Sequence, residues 1–398
     1  MYPILKGYRI VDVTTIVLGP YGTQILGDLG AEVIKVEAIE GDLNRWTLPA
    51  AEPGVGAVFA NNNRNKRSLA VDLKQDAGKE VLRRLVGTSH AFVHNMRASA
   101  IERLGFSPEA VRALNPKIVY CAALGYGSDG PYSGRPAYDD IMQCSAGLAG
   151  LALMRDGEPS YHPTVTADKV AGLHVVYAVM AGLLHRERTG EGLNVEMPMF
   201  EALAAFSMNE HLMGATFEAE GSLGYGRTMS RNRRPFKTSD GWIGVLPYTR
   251  EQWTRVLKML GREDVIAEPW FPDNGKRNAR SGELYQLLID ALPGRTSKEW
   301  LAAFEAADVP CGPMNSAREL LEDPHLKAVG FFDPHFEGNA PIKRTLRQPV
   351  LFRDMAAEPD RAPPALGADT AVLLAELGYG AAELADLTAK RAIAGQPS

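Results

Sequence analysis

Asp168 is the residue whose type and setting could do chemistry. It stands in Thr164-Val165-Thr166-Ala167-Asp168-Lys169-Val170, at the head of an apolar stretch that runs to Leu184. A carboxylate entering a buried helix has two uses. As an N-cap it satisfies helix-terminal amides, worth about 1 kcal/mol. In the same position the amides would stabilise its anion at neutral pH. An ionised carboxylate in a partly dry pocket can attack an activated carbonyl. The pattern alone leaves both uses open.

Other residues with chemical potential are weaker. Gly125-Tyr126-Gly127-Ser128-Asp129-Gly130 has the G-x-G-x-x-G spacing after a strand pattern. A dinucleotide fingerprint needs the last glycine to open a helix. Pro131 and Pro136 follow instead, so a loop over a substrate is expected. His90 and His94 have ligand spacing only on a helix, and Ala91–His94 reads as a strand. No zinc spacing and no G-x-S-x-G elbow occurs, so no metal is expected. Lys74, Asn95, Arg97 and Arg103 follow strand patterns. In a parallel sheet that is where an anionic, phosphate-bearing ligand docks. The run Asn63-Arg64-Asn65-Lys66-Arg67 precedes a strand, and Arg227, Arg231, Arg233, Arg234 and Lys237 form a second basic group.

The elements that must position these residues alternate. Strands are predicted at Arg9–Val13, Val33–Val36, Leu69–Leu73, Ala91–His94, Lys117–Ala122 and Asn194–Met197. Between them Gln75–Val86 carries Val81, Leu82, Leu85 and Val86 on one helical face. Alternation of this kind predicts an α/β fold with a doubly wound, mostly parallel sheet. A long helix is predicted from Asp168 to about Arg188, ended by Gly190. Composition shifts near Gly221, where a smaller unit begins with helices at Glu251–Leu260, Ser281–Leu292 and Ser297–Ala307.

Bulk properties narrow the function classes. The chain has 398 residues, 45% hydrophobic and 23% charged, with net charge −5. No global basic field would draw nucleic acid. Cys121, Cys144 and Cys311 are far apart and odd in number, which suits a reducing cytoplasm. No signal-peptide pattern opens the chain, and Val170–Leu184 reads as too short for a membrane span.

Read in order, the segments resemble the family III CoA-transferases, the group that includes formyl-CoA and carnitine CoA-transferases and the α-methylacyl-CoA racemases. The similarity is carried by Leu26-Gly27-Asp28-Leu29-Gly30-Ala31-Glu32-Val33-Ile34-Lys35-Val36-Glu37, Asn65-Lys66-Arg67-Ser68 and Val93-His94-Asn95-Met96-Arg97. It continues through Arg103-Leu104-Gly105-Phe106, Gly125-Tyr126-Gly127, Tyr138-Asp139-Asp140, His185-Arg186-Glu187-Arg188-Thr189-Gly190 and Val309-Pro310-Cys311-Gly312-Pro313.

The resemblance implies that Asp168 is a covalent nucleophile passing CoA from an acyl-CoA to a carboxylic acid. An aspartyl anhydride and then an aspartyl-CoA thioester would form. It implies CoA contacts at Val17, Ala38, Val71, Lys74, Asn95, Met96, Arg97, Arg103, Tyr138 and Asp139. Coenzyme A would enter as part of the substrate, with no permanently bound cofactor. The glycine-rich loop at Gly125–Gly130 is a candidate source of oxyanion donors. The implied architecture is a Rossmann-like large domain of residues 1–220 and 331–398, a small α+β domain of residues 221–330, and an interlocked homodimer.

Departures matter. Formyl-CoA transferases carry Gln at the position of Val17 and Arg at that of Ala38, which argues against oxalate and formyl-CoA. The racemase branch has a catalytic His where this chain has Tyr138. A racemase needs that imidazole for the α-proton, so racemisation stands as the alternative behind transfer.

Overall fold

The computed structural model describes residues 1–338 and 341–395, so residues 339–340 and 396–398 of the expected 331–398 segment lie outside the described residues. The chain divides into two compact units. The first comprises Met1–Ala146, Tyr161–Phe206 and Val329–Ser398; the second comprises Gly147–Ser160 and Ser207–Ala328. Gly147–Ser160, which the sequence reading assigns to the large domain, clusters with the second unit.

The first unit is built on a 7-stranded sheet. Its strands are β1 (Arg9–Val13), β2 (Glu32–Glu37), β3 (Lys66–Val71), β4 (Ala91–His94), β5 (Val119–Leu124), β6 (Leu193–Pro198) and β10 (Ile393–Ala394), in the order β10-β3-β2-β1-β4-β5-β6. All neighbours pair in parallel except β10, which runs antiparallel to β3. Parallel strands covered on both faces must be apolar along their length. Val11, Ile34, Leu69, Phe92 and Val119 are accordingly inaccessible to solvent.

The chain leaves β1 toward β2 and β3, then returns to place β4 on the other side of β1. That reversal opens a crevice beyond the carboxyl ends of β1 and β4, where ligands bind in folds of this type. Helix α1 (Leu18–Asp28) follows β1, α2 (Asp76–Gly87) follows β3 and α3 (Ala98–Leu104) follows β4. Val81, Leu82, Leu85 and Val86 of α2 join the core against Val71 and Phe92, as the 3.6-residue period predicts. Helix α4 (Asp139–Ser145) comes after the glycine-rich loop.

The long helix α5 (Thr166–Thr189) starts two residues earlier than expected and ends at Gly190 with φ of 76°. At 24 residues it has the length and apolar composition of a membrane-crossing helix, contrary to the short-stretch reading. Within the fold it is a core helix: Val170, Ala171, Val175, Val179 and Leu183 are buried, and it packs on α1, β5 and β6. Helix α6 (Met199–Met208) follows β6 directly.

The crossing of α1 and α5 is a backbone contact. A Cβ added to Gly172 would come within 2.7 Å of the Leu18 carbonyl oxygen, and one added to Gly22 within 2.7 Å of the Gly172 carbonyl oxygen. Only glycine at both positions lets the two helices approach so closely. Asp168 lies one turn before that crossing, so the contact fixes its height against the start of α1.

The second unit has a three-stranded sheet of β7 (Phe236–Lys237), β8 (Trp242–Val245) and β9 (Cys311–Pro313), antiparallel throughout. Helices α7 (Arg250–Met259), α8 (Ser281–Ala291) and α9 (Ser297–Ala306) cover it. Trp253, Leu288, Trp300 and Phe304 form its core.

Candidate active site

A cavity of about 230 Å³ lies beyond the carboxyl ends of β1, β4 and β5. Thr15–Leu18, Asn95–Arg97, Ala123–Gly125, Arg135–Tyr138, Asp168 and Met199 line it. A larger hollow of about 420 Å³ is found in the second unit, bordered by Arg233–Phe236, Gly244–Leu246 and Pro310–Gly312. Its only thiol, Cys311, is raised above its ordinary pKa by burial and by Glu305, so it is a poor nucleophile at neutral pH. Asp168, the carboxylate singled out in the sequence, lines the smaller cavity.

Asp168 does not cap its helix. Val165 occupies the N-cap without a side-chain bond, and Asp168 sits within the first turn. Its backbone N–H donates to Asp139 Oδ1 at 3.1 Å. Asp139, buried at the start of α4, also accepts from Gln143 Nε2 at 2.6 Å. Gln143 accepts in turn from the His162 N–H at 2.9 Å and donates to the Thr164 carbonyl at 3.3 Å. Asp139 and Gln143, four residues apart on one helix face, therefore hold the segment that leads into Asp168.

The Asp168 carboxylate is only partly buried and accepts no hydrogen bond from the described residues. Burial, and then the like charge of Asp139, push its pKa up to about 7. This differs from the expectation that helix-terminal amides hold it firmly ionised: no helix amide among the described residues donates to the carboxylate, and burial and Asp139 both raise it. The result suits a nucleophile, since a carboxylate of higher pKa is the more basic and the more reactive.

The structure brings Val17, Asn95, Met96, Arg97 and Tyr138 together with Asp168 around the cavity. Tyr138 is 71% exposed at the mouth of α4. Asp139 touches the site through the Asp168 main chain. Ala38, Val71, Lys74 and Arg103 are not in the lining. Val71 is fully buried in β3, so its side chain is closed to a ligand. Strand β3 ends at Val71, leaving Lys74 in the exposed turn beyond it rather than at the strand end. Lys74, Arg97 and Arg103 are exposed, and none donates from its side chain to another described residue.

Two sequence expectations change. The basic run expected before the strand enters β3 at Lys66 and is internal: Arg64 pairs with Asp28, Lys66 with Asp12 at 2.9 Å, and Arg67 with Glu376 at 2.8 Å. These cations are spent on the fold. The glycine-rich loop is also committed: Gly127 N–H donates to Glu201 at 3.0 Å and Ser128 N–H to Glu196 at 2.5 Å. Those two amides are not free for an oxyanion. No regular helix follows Gly130, as the prolines require. Arg135, Gln143 and Met199 went unnoticed in the sequence. The i, i+4 spacing of Gln143 from Asp139 was the one available signal.

Among the described residues no cluster of His, Cys, Asp or Glu is placed to hold a metal ion. Residues 5–370 match the model of CoA-transferase family III. The chain belongs to that family. This family III CoA-transferase is 30% identical to the succinate–glutarate CoA-transferase of Agrobacterium fabrum over 94% of its own length and 96% of the relative. It is 29% identical to the formyl-CoA:oxalate CoA-transferase of Streptomyces coelicolor, over 96% of this chain and 97% of the relative. The crystal structure of a CaiB/BaiF family protein from Brucella suis superimposes with a TM-score of 0.79 at 30% identity, covering 94% of this chain and 99% of that one. The enzyme is thus a transferase acting on CoA thioesters.

Proposed function

We propose that the enzyme moves CoA from an acyl-CoA donor to a carboxylic acid acceptor with Asp168 as the covalent nucleophile. The observation that carries this reading is Asp168 itself: a partly buried carboxylate that accepts no hydrogen bond from the described residues, raised to about 7, in the cavity at the sheet's switch point. Asp168 attacks the thioester carbonyl, the C–S bond breaks, and CoA leaves as thiolate with an aspartyl anhydride behind it. The thiolate attacks the Asp168 carbonyl, giving aspartyl-CoA thioester and free donor acid. The acceptor carboxylate reverses the sequence. One thioester is exchanged for another, so no ATP is consumed. Water must be kept out, because it would hydrolyse the anhydride.

The same reading assigns Lys74, Arg97 and Arg103 to the phosphates of CoA, and Val17, Met96 and Tyr138 to contacts near the thioester. A tyrosine at 138 offers no imidazole for α-proton exchange, which supports transfer over racemisation. We extend the proposal to a cytoplasmic homodimer with interlocked chains, without metal or resident cofactor. Leu173, Tyr177 and Leu184 lie exposed along one face of α5, an apolar strip that a second copy would cover.

The test uses donor acyl-CoA alone. Mixed with the enzyme and denatured, it is expected to leave a covalent adduct on Asp168 seen by mass spectrometry. Full CoA exchange by Asp168→Ala would refute the nucleophile assignment.

A further inference from the structure

We propose that Asp42 and Asn44 are positioning residues that hold Ile16 in a left-handed backbone, so that its side chain forms an apolar wall for the acyl group. The inference rests on the proposed transfer at Asp168.

Ile16 has φ of 72°. For a β-branched residue that is a sterically disfavoured conformation, kept only where the surroundings enforce it. The enforcement is visible. The Ile16 N–H donates to Asp42 Oδ2 at 3.1 Å, and its carbonyl accepts from Asn44 Nδ2 at 2.7 Å. The flanking peptides are held in the same way. Thr15 exchanges two bonds with the Asn95 amide, at 3.0 and 2.9 Å. The Thr14 N–H donates to Asp12 at 2.9 Å, and its carbonyl accepts from Lys35 Nζ at 3.0 Å. From Thr14 to Ile16 each peptide N–H and carbonyl is therefore met by a side chain.

Asp42 is itself immobilised. It is buried, pairs with Lys35 at 3.0 Å, donates its N–H to Glu37 at 3.1 Å and accepts from the Asn44 N–H at 3.0 Å. A glycine at position 16 would need none of this, because glycine takes a positive φ freely. The chain instead keeps an isoleucine in an unfavourable backbone, and that residue lines the cavity that holds Asp168. The clamp is intelligible if the side chain is wanted there, against the acyl portion of the thioester.

A double-mutant cycle on the full-length enzyme tests this, with CoA exchange between an acyl-CoA and its acid as the readout. Asn44→Ala is expected to lower kcat about tenfold with little change in KM for CoA thioester, as small displacements of a positioned wall do. Asn44→Asp, which keeps the shape and loses the donor, is the companion variant should Asn44→Ala fold poorly. Combined with Ile16→Gly, either substitution is expected to cost less than about twofold, because glycine needs no clamp. An equal loss with and without Ile16→Gly would overturn the inference. Asp168→Ala is run beside it: retained exchange there would sink the transfer reading, whereas an inert Asp168→Ala with an additive cycle would sink only this one.

Discussion

The main-chain N–H of Asp168 donates to the carboxylate of Asp139, at 3.1 Å. The residue that adds to the raised Asp168 pKa is therefore also the one that fixes its backbone. Asp139 thus contributes both to the position of Asp168 and, after burial, to its raised pKa.

Asp139→Asn keeps an acceptor for the Asp168 N–H and removes the negative charge. Burial, the larger cause of the shift, remains. The acidic limb of the kcat/KM profile, expected near pH 7 in the wild type, should move to lower pH in this variant. A pH–rate series with one donor and acceptor pair measures it. An unmoved limb would mean that Asp139 acts only through geometry.

Stability should carry the opposite sign from an ordinary ion-paired aspartate. The folded Asp168 pKa of about 7 exceeds the ordinary aspartate value of 3.8. Between those values the native state binds more protons than the unfolded state, so stability falls as pH rises from about 4 to about 7. Asp168→Asn abolishes that loss. Its melting temperature should exceed that of the wild type at pH 8 and approach it at pH 5, with a gain at pH 8 on the order of 1–2 kcal/mol.

Gly172→Ala forces a methyl group to 2.7 Å from the Leu18 carbonyl oxygen. Separation of α1 from α5 should cost about 1–3 kcal/mol of stability, as overpacking does. Because Asp168 is one turn away, kcat should fall as well, while KM for the CoA thioester changes less. Chemical denaturation and steady-state kinetics on one preparation read both effects.

Replacing Lys74, Arg97 or Arg103 by Gln should raise KM for CoA thioesters several-fold and leave kcat nearly unchanged, with a weaker dependence on salt than the wild type. None of these side chains donates to another described residue, so melting temperatures should stay close to that of the parent.

The regular framework was largely legible. The bounds of β1 and β4 match the sequence expectation, because apolar runs flanked by turns leave little choice. Asp168 stood out because a charge at the head of an apolar helix is unusual. The site's wiring was hidden. Lys66 meets Asp12 across 54 positions and Arg67 meets Glu376 across 309, so a basic run that looked like an anion site was interior structure. Local pattern also made Asp168 a firmly ionised helix-end carboxylate; only the packed structure shows how little solvent and how few donors surround it. The Ile16 clamp left no trace in sequence, since Asp42 and Asn44 reach Ile16 from a segment 26 and 28 positions away.

Exchange of an oxygen between Asp168 and the substrates is the most direct consequence of covalent transfer. In the proposed cycle the acceptor carboxylate leaves one of its oxygens on Asp168 each time its acyl-CoA is formed. With acceptor acid labelled by heavy oxygen in both positions, mass spectrometry of the peptide containing Asp168 should find one heavy oxygen in that side chain after a single turnover, and further turnovers should carry it toward two. An unlabelled Asp168 after many turnovers would contradict the covalent mechanism.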